Sequence, residues 1–208
     1  MPEVSERRSE TSRVEAFSDG VFAIAITLLV LDVRIPDELE HGKLWSALGH
    51  IWPSYAGYAV SFFAIGIMWV NHHDLFSVVA RVDRRLLFLN LAILGLIGFL
   101  PFPTAILARF LRSGGADARA AVVVYGINMI GIGTVWALTW GHLHANPELL
   151  TDGPARGTPQ RFVGRYFGPI AYAVATVIGF VAPVASLAIY FGTAMFFAVG
   201  RARSRQPG

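Results

Sequence analysis

The segment RVEAFSDGVFAIAITLLVL, residues 13–31, decides the fold because it changes from polar to apolar within one helix length. Its part Val21–Leu31, apolar except for Thr27, covers about 16 Å at about 1.5 Å per helical residue. The hydrocarbon core of a bilayer is about 30 Å thick. A helix that spans the core must therefore draw Ser18 and Asp19 into the membrane zone, where they should face protein or water.

The composition of the whole chain indicates the same environment. The 208 residues are 54% hydrophobic and 15% charged, whereas a soluble domain carries about 25% charged residues. The absence of cysteine excludes thiol catalysis, disulfides and thiolate metal sites. The arginines lie between apolar runs, where membrane orientation explains them better than nucleic acid does. No nucleophile with a base and an orienting group is evident, so we do not expect an enzyme.

Six apolar segments are long enough to cross a bilayer, which predicts an all-α membrane protein with six transmembrane helices. This membrane domain takes up residues 13–200, between a cytoplasmic tail at 1–12 and another at 201–208. Two prolines, Pro101 and Pro103, should kink the third span. The predicted spans, in chain order, are Arg13–Val33, Leu44–Asn71, Leu86–Leu111, Arg119–His142, Phe162–Val181 and Val184–Val199.

The arginines predict the orientation of these spans. With six spans, four arginine clusters fall on one side of the membrane, and the positive-inside rule makes that side and both termini cytoplasmic. Three further arginines fall on the opposite side and weaken the pattern without reversing it: Arg109, Arg112 and Arg119. The four clusters are Arg7, Arg8 and Arg13; Arg81, Arg84 and Arg85; Arg156, Arg161 and Arg165; and Arg201, Arg203 and Arg205.

Helical spacing gives the first span two different faces. Ile24, Leu28 and Leu31 follow the i, i+4, i+7 pattern and form an aliphatic stripe. Asp19 lies about 140° around the helix from Ile24 at about 100° per residue, so it does not share the stripe. By spacing alone, the stripe lines an ion pathway, faces lipid or packs in an ordinary bundle core.

A second polar cluster, Trp69-Val-Asn-His-His-Asp74, closes the second span at a depth similar to that of Ser18 and Asp19. Burying Asp19 without partners would be costly. We therefore predict a structural, non-catalytic network that joins Arg13, Ser18 or Asp19 with Asn71, His72 or His73.

Other polar residues in the spans are explained more simply. His142 and His144, like the neighbouring pair His72 and His73, lack the spacing of a zinc site, so no metal or other cofactor is expected. Asn90 and Asn128 should hydrogen-bond across helices rather than bind a substrate.

The pattern Arg13-x-x-x-Phe-Ser-Asp-Gly20, followed by Val21–Leu28, resembles the signature of the transmembrane protein 175 family, the endosomal and lysosomal potassium channels and their bacterial relatives. The resemblance implies a homotetramer in a bacterial plasma membrane that conducts potassium passively and selectively over sodium. It also implies that the first helix of each subunit lines a central pore without a re-entrant pore loop.

The resemblance assigns roles to the residues found above. Ile24 matches the narrowest ring of the pore, Leu28 and Leu31 match rings further outward, and Thr27 lies beside them. Residues Arg13, Ser18 and Asp19 match the polar group that anchors the first helix, with His72 the better match for its partner and His73 the less certain one.

Two other functions fit the same residues. A proton-coupled transporter would use Asp19 and His72 as a relay, and a membrane scaffold would use the helices without transport. The conventional potassium filter Thr-Val-Gly-Tyr-Gly is absent, and the nearest string, Thr176–Phe180, lies inside the fifth span. An aliphatic ring can close a pore by dewetting, so physical reasoning predicts a gate more readily than it predicts selectivity.

Overall fold

The computed structural model describes the backbone of residues 2–35, 41–151 and 162–202, and the side-chain surroundings of residues 11–35, 41–151 and 168–195. Within these residues the regular structure is helical, apart from an isolated bridge between Val79 and Leu150. The α-helices are α1 Pro2–Leu28, α2 Leu44–His50, α3 Trp52–Phe76, α4 Arg84–Phe99, α5 Pro101–Phe110, α6 Gly115–Ala145, α7 Phe162–Gly179 and α8 Pro183–Ala202.

The first helix begins earlier than the sequence analysis predicts. Helix α1 runs without a break from Pro2 to Leu28 and continues as a 3-10 turn over Leu29–Asp32. Proline is well suited to the first turn of a helix, and no glycine or further proline follows before Gly20. The predicted boundary between a tail at 1–12 and a span at Arg13 is therefore not a helix boundary.

Prolines divide the second and third predicted spans. The second is not one continuous helix, because α2 ends at His50 and α3 starts at Trp52 with Pro53 in its first turn, where the missing N–H is tolerated. In the third span α4 ends at Phe99 and α5 starts at Pro101, which is the position of the expected kink.

Two glycines set the start of α6. Gly114 and Gly115 have φ of +66° and +59°, a backbone conformation that glycine adopts at little cost. Helix α6 consequently begins at Gly115, four residues before the predicted span Arg119–His142, and it ends at Ala145.

Four helical segments of the described residues are long and apolar enough to cross a membrane: Thr11–Asp32, Trp52–Phe76, Arg84–Ser113 and Gly115–Ala145. The apolar parts of α7 and α8 are shorter, at Gly168–Gly179 and Pro183–Met195. The chain is thus an all-helical membrane protein with four long apolar helices and shorter ones, and membrane crossing by α7 and α8 stays a prediction.

Helix α6 lies at the centre of the packing, against α4, α5 and α7, while α1 packs against α3 and α4. Several polar groups inside this core make hydrogen bonds between helices. The hydroxyl of Ser61 hydrogen-bonds Thr104 Oγ1 at 2.7 Å and Tyr125 OH at 3.3 Å. Asn128 Nδ2 donates to the Leu96 carbonyl oxygen at 3.2 Å, which joins α6 to α4. Each of these bonds joins two helices.

Candidate ion pathway on the first helix

One face of α1 holds the helix to its own subunit. Ser18, Phe22, Ala25 and Leu29 are at most 3% exposed and follow the i, i+4, i+7, i+11 pattern of a single helix face. Three of them, Phe22, Ala25 and Leu29, belong to the main hydrophobic core. This buried face packs against α3 and α4.

The aliphatic stripe of Ile24, Leu28 and Leu31 lies on a different face and is not covered by the subunit. The three side chains are 62%, 41% and 56% exposed. At about 100° per residue, the centre of the stripe lies about 120° from the centre of the buried face. The change to a 3-10 turn at Leu29 aligns Leu28 with Leu31, because residues i and i+3 eclipse in a 3-10 helix.

Helix α1 is the most exposed of the four long apolar helices. Only 22% of its apolar window is buried in the subunit, against 39–44% in the other three. An apolar face with no partner in its own subunit has to meet lipid, another copy of the chain or an ion pathway. The geometry of α1 is compatible with each of these.

The hydroxyl of Thr27, next to the stripe, is directed at its own helix. Its Oγ1 donates to the carbonyl oxygens of Ala23 and Ile24, both at 2.9 Å. Threonine back-bonding of this kind satisfies the hydroxyl without a neighbouring helix. Within the subunit, Thr27 is therefore not seen to brace another helix.

A buried chain of hydrogen bonds, called here the polar chain, joins α1 to α3 through α4. Ser18 Oγ donates to the Val14 carbonyl oxygen at 2.7 Å and accepts from Asn90 Nδ2 at 3.0 Å. Asn90 Oδ1 lies 2.8 Å from His72 Nε2. Because an amide oxygen only accepts, this geometry assigns the proton to Nε2 of His72.

The imidazole of His72 is 1% exposed and lies among aromatic rings. It stacks on Phe76 with ring centroids 4.5 Å apart and meets the edge of Phe22 at 5.4 Å. Its Nδ1 atom has no hydrogen-bond partner among the described residues. The ring is therefore held by packing on its faces and by Asn90 at one nitrogen.

The other predicted members of the network lie outside the polar chain. Asp19 is exposed, and its Oδ1 accepts from Trp69 Nε1 at 2.9 Å. His73 is exposed as well, and its Nδ1 lies 3.1 Å from Glu15 Oε1. Of the remaining residues of the predicted set, Arg13 on α1 is exposed and Asn71 on α3 is half-buried. Neither is one of the three residues that form the polar chain.

Ser18 and His72 are thus brought together only through Asn90, a link that the sequence analysis missed. A signal for it was present, since Asn90 is a polar residue in an apolar span and was expected to bond across helices. The pairing of Trp69 with Asp19 was missed too, because an indole N–H in an apolar helix shows no preferred partner in the sequence.

The histidines at the end of α6 are directed to different partners. His142 Nε2 lies 2.8 Å from Asp83 Oδ2, and His144 Nδ1 donates to the Trp140 carbonyl oxygen at 2.6 Å. Asp83 also caps α4 by accepting from the Leu86 amide. Among the described residues, no group of three histidine or carboxylate side chains is placed to hold a metal ion.

These features define a class: an all-helical, multi-pass membrane protein whose first helix has one face packed in the subunit and one aliphatic face open to a partner or a pathway. Comparison with known proteins then identifies the family. The family model for the endosomal/lysosomal potassium channel TMEM175 matches residues 13–101. The chain belongs to the TMEM175 family, which is a family of ion channels and not of enzymes.

Relatives match over nearly the whole chain. A potassium channel of Streptomyces collinus is 47% identical over 193 residues, which is 91% of this chain and 92% of the relative. The crystal structure of a lysosomal potassium-selective channel TMEM175 homolog from Chamaesiphon minutus superposes with a TM-score of 0.79 at 40% identity, covering 95% of this chain and 100% of that one.

A vertebrate relative matches over part of its length. The endosomal/lysosomal proton channel TMEM175 of Bos taurus is 31% identical over 203 residues, which is 90% of this chain but 40% of the cattle protein. The family therefore includes relatives described as potassium channels and relatives described as proton channels.

Proposed function

We propose that this chain is the subunit of a potassium channel that conducts passively and favours potassium over sodium. Four copies assemble around a central axis, each contributes six spans, and both termini lie in the cytoplasm of a bacterial cell. The pore is lined by α1 and has no re-entrant loop. The bacterial relatives described as potassium channels support this function.

The observation that carries the proposal is the exposure of the aliphatic stripe on a helix whose other face is packed. In a tetramer with α1 at the axis, Ile24 forms the narrowest ring and Leu28 and Leu31 form rings further outward. Branched aliphatic side chains offer no oxygen to replace hydration water, so a narrow ring closes by dewetting. A slightly wider ring passes partly dehydrated ions and favours potassium, which gives up water more readily than sodium.

The polar chain has a structural role in this proposal. It fixes the roll of α1 about its own axis, because Ser18 on the buried face is tied to Asn90 on α4. Rotation of α1 would break this bond inside the protein, where an unpaired polar group costs about 1–3 kcal/mol. The polar chain therefore keeps the stripe directed at the axis.

The transporter alternative needs a proton relay between Asp19 and His72. In the subunit Asp19 accepts a hydrogen bond from Trp69, and an indole N–H only donates, so it does not pass a proton on. His72 bonds Asn90 instead of Asp19. These contacts favour a passive channel, although the description of the cattle relative as a proton channel makes proton flux a necessary part of the test.

The test is ion flux through the purified protein in liposomes, with potassium, sodium and proton gradients applied separately. Wild-type protein should pass potassium down its gradient faster than sodium. Ile24→Asn should change the conductance or the potassium preference severalfold, because it puts an amide in the narrowest ring. Ile127→Asn is the matched control, since Ile127 on α6 is also 62% exposed, and it should leave the flux unchanged.

Two outcomes would overturn the proposal. One is the absence of potassium flux from folded wild-type protein, with saturable uptake that depends on a proton gradient. The other is an equal effect of Ile24→Asn and Ile127→Asn, because it would place both residues against lipid.

A further inference from the structure

A cleft of about 700 Å³ opens at the Leu31 end of α1, at the opposite end of the helix from the polar chain. The turn after α1, the start of α3 and the end of α5 supply its walls. Three arginines line it, Arg34, Arg109 and Arg112, and Asp32 is the one carboxylate among its lining residues.

Two of the three guanidinium groups are fixed by backbone carbonyl groups. Arg34 Nε donates to the Leu31 carbonyl oxygen at 2.8 Å, and Arg112 Nη1 donates to the His50 carbonyl oxygen at 2.8 Å. Each bond uses one of five N–H donors, so most of the donors of each fork are left for a ligand. A fork that is already held in place loses less entropy when it binds.

A purely structural explanation covers part of this arrangement. Cations near the carboxyl end of α5 interact favourably with the helix dipole, and the bond from Arg112 ties α5 to the start of α3. The bond from Arg34 to the Leu31 carbonyl group is of the same kind, at the end of the 3-10 turn that follows α1. Neither bond explains why three cations gather around one cleft. Like charges around one cleft repel one another unless anions lie between them, and the lining residues supply one carboxylate, Asp32, for three guanidinium groups.

The position of the cleft in the membrane is also informative. Trp45 and Trp52, on the helices that lead into it, are 85% and 42% exposed, and tryptophan is typical of the headgroup level of a bilayer. Arg109 and Arg112 are among the arginines that run against the orientation pattern of the other clusters. The positive-inside rule therefore gives no reason for them.

We propose that this arginine cleft is a binding site for a phosphate group, carried by an anionic phospholipid headgroup or by free phosphate. Guanidinium forks match the planar, bidentate geometry in which phosphate oxygens accept hydrogen bonds. The open form of the cleft, with exposed tryptophans nearby, suits a headgroup at the membrane surface. The site depends on the fold of the subunit and not on which ion the protein conducts.

The test is native mass spectrometry of the full-length protein in detergent, titrated with phosphatidylglycerol and, separately, with phosphatidylcholine. Wild-type protein should retain phosphatidylglycerol at least tenfold more strongly. Arg109→Ala should weaken that binding about tenfold, as expected for the loss of one charge-assisted contact. Arg119→Ala is the matched control, because Arg119 is exposed, lies near the same end of the bundle and is not among the residues that line the cleft.

Three further measurements separate the possible sources of the effect. Inorganic phosphate added without lipid should raise the melting temperature of wild-type protein but not of Arg109→Ala if free phosphate is the ligand, and should raise neither if the ligand is a headgroup. Neutralising Asp37, Glu38 and Glu40, the acidic residues that follow Arg34 in the sequence, should leave binding equal or stronger. Arg112→Lys should bind more weakly than wild type, because it keeps the charge but loses the fork.

Several results would overturn the inference. It fails if wild-type protein retains phosphatidylglycerol and phosphatidylcholine equally and its melting temperature does not change with phosphate. It also fails if Arg119→Ala weakens binding as much as Arg109→Ala does. A loss of binding on neutralising the three acidic residues would assign the effect to them and not to the guanidinium groups.

Discussion

Both faces of α1 contain leucine, and the leucines of the two faces have opposite surroundings. Leu29 is 0% exposed in the subunit, whereas Leu31, two residues further on, is 56% exposed. Both side chains lie in the 3-10 turn that ends the helix. The difference between them is therefore set by where the rest of the subunit lies, since their chemistry is identical.

This difference shows what apolar residues in a membrane protein can indicate and what they cannot. Lipid tails are as apolar as leucine, so hydrophobicity alone does not drive one face of a helix inward. Polar groups are more informative, because a buried hydroxyl or amide needs a partner. Ser18, bonded to Asn90, marks the buried face of α1, and the stripe is identified as the face that is left over.

The largest expected effect comes from replacing each of the two leucines by alanine in separate variants. Leu29→Ala should lower the free energy of unfolding by about 3 kcal/mol, because it leaves a cavity in a closed core. Leu31→Ala should lower it by less than about 1 kcal/mol and should instead change potassium flux. Unfolding by SDS in mixed micelles measures the first quantity, and liposome flux measures the second.

The same two variants can also show that the two faces of α1 do not differ in this way. Similar destabilisation by both would show that Leu31 is packed as firmly as Leu29 in the assembled protein. In that case the stripe is an interface between subunits and not the wall of a pathway. Unchanged flux in Leu31→Ala, with normal folding, would instead place Leu31 against lipid.

A smaller effect is expected at the centre of the polar chain. Asn90→Leu should destabilise the subunit by about 2–3 kcal/mol, because it leaves Ser18 and His72 with unpaired groups in the core. Asn128→Leu is the control, since Asn128 is also 4% exposed but makes one hydrogen bond and has an unpartnered Oδ1 within the described residues. It should cost less than about 1 kcal/mol.

The two asparagine variants distinguish a residue that links two other helices, Asn90, from one that makes a single interhelical bond, Asn128. Equal losses of stability would mean that the chain from Ser18 to His72 is worth no more than a single contact. If Asn90→Leu folds normally but shifts the potassium preference, the polar chain acts on the roll of α1, as proposed, at little cost in stability.

Much of the fold follows from the sequence, because its signals are local. Apolar length predicts the long helices, and Pro101 predicts the break in the third span. The prediction of one continuous second span was wrong, because Pro53 lies in the first turn of a new helix that starts at Trp52. The early start of α6 was missed because glycines at 114 and 115 are compatible with a loop or a helix entry alike.

The candidate site was only partly predictable, for a different reason. Spacing alone placed Ile24, Leu28 and Leu31 on one face, and the exposure of these residues is compatible with that grouping. Spacing did not show that Ser18 reaches His72 through Asn90, because that link depends on how α4 lies between α1 and α3. Contacts among three helices have no periodic signature in one sequence.

The smallest expected effect concerns Asp19, which is on neither of the two compared faces. Asp19→Asn keeps an oxygen that accepts from Trp69, so the free energy of unfolding should change by less than about 1 kcal/mol. Passive potassium flux should persist in this variant, and Trp69→Phe, which removes the donor, should behave in the same way. The channel proposal would give way to a proton-coupled transporter if neither wild-type protein nor Asp19→Asn passes potassium passively and only Asp19→Asn loses proton-coupled uptake. Asp19 would then carry the proton. Failure of Asp19→Asn to assemble, while Trp69→Phe assembles normally, would instead give the carboxylate a structural partner outside its own subunit and add a third, intersubunit face to α1.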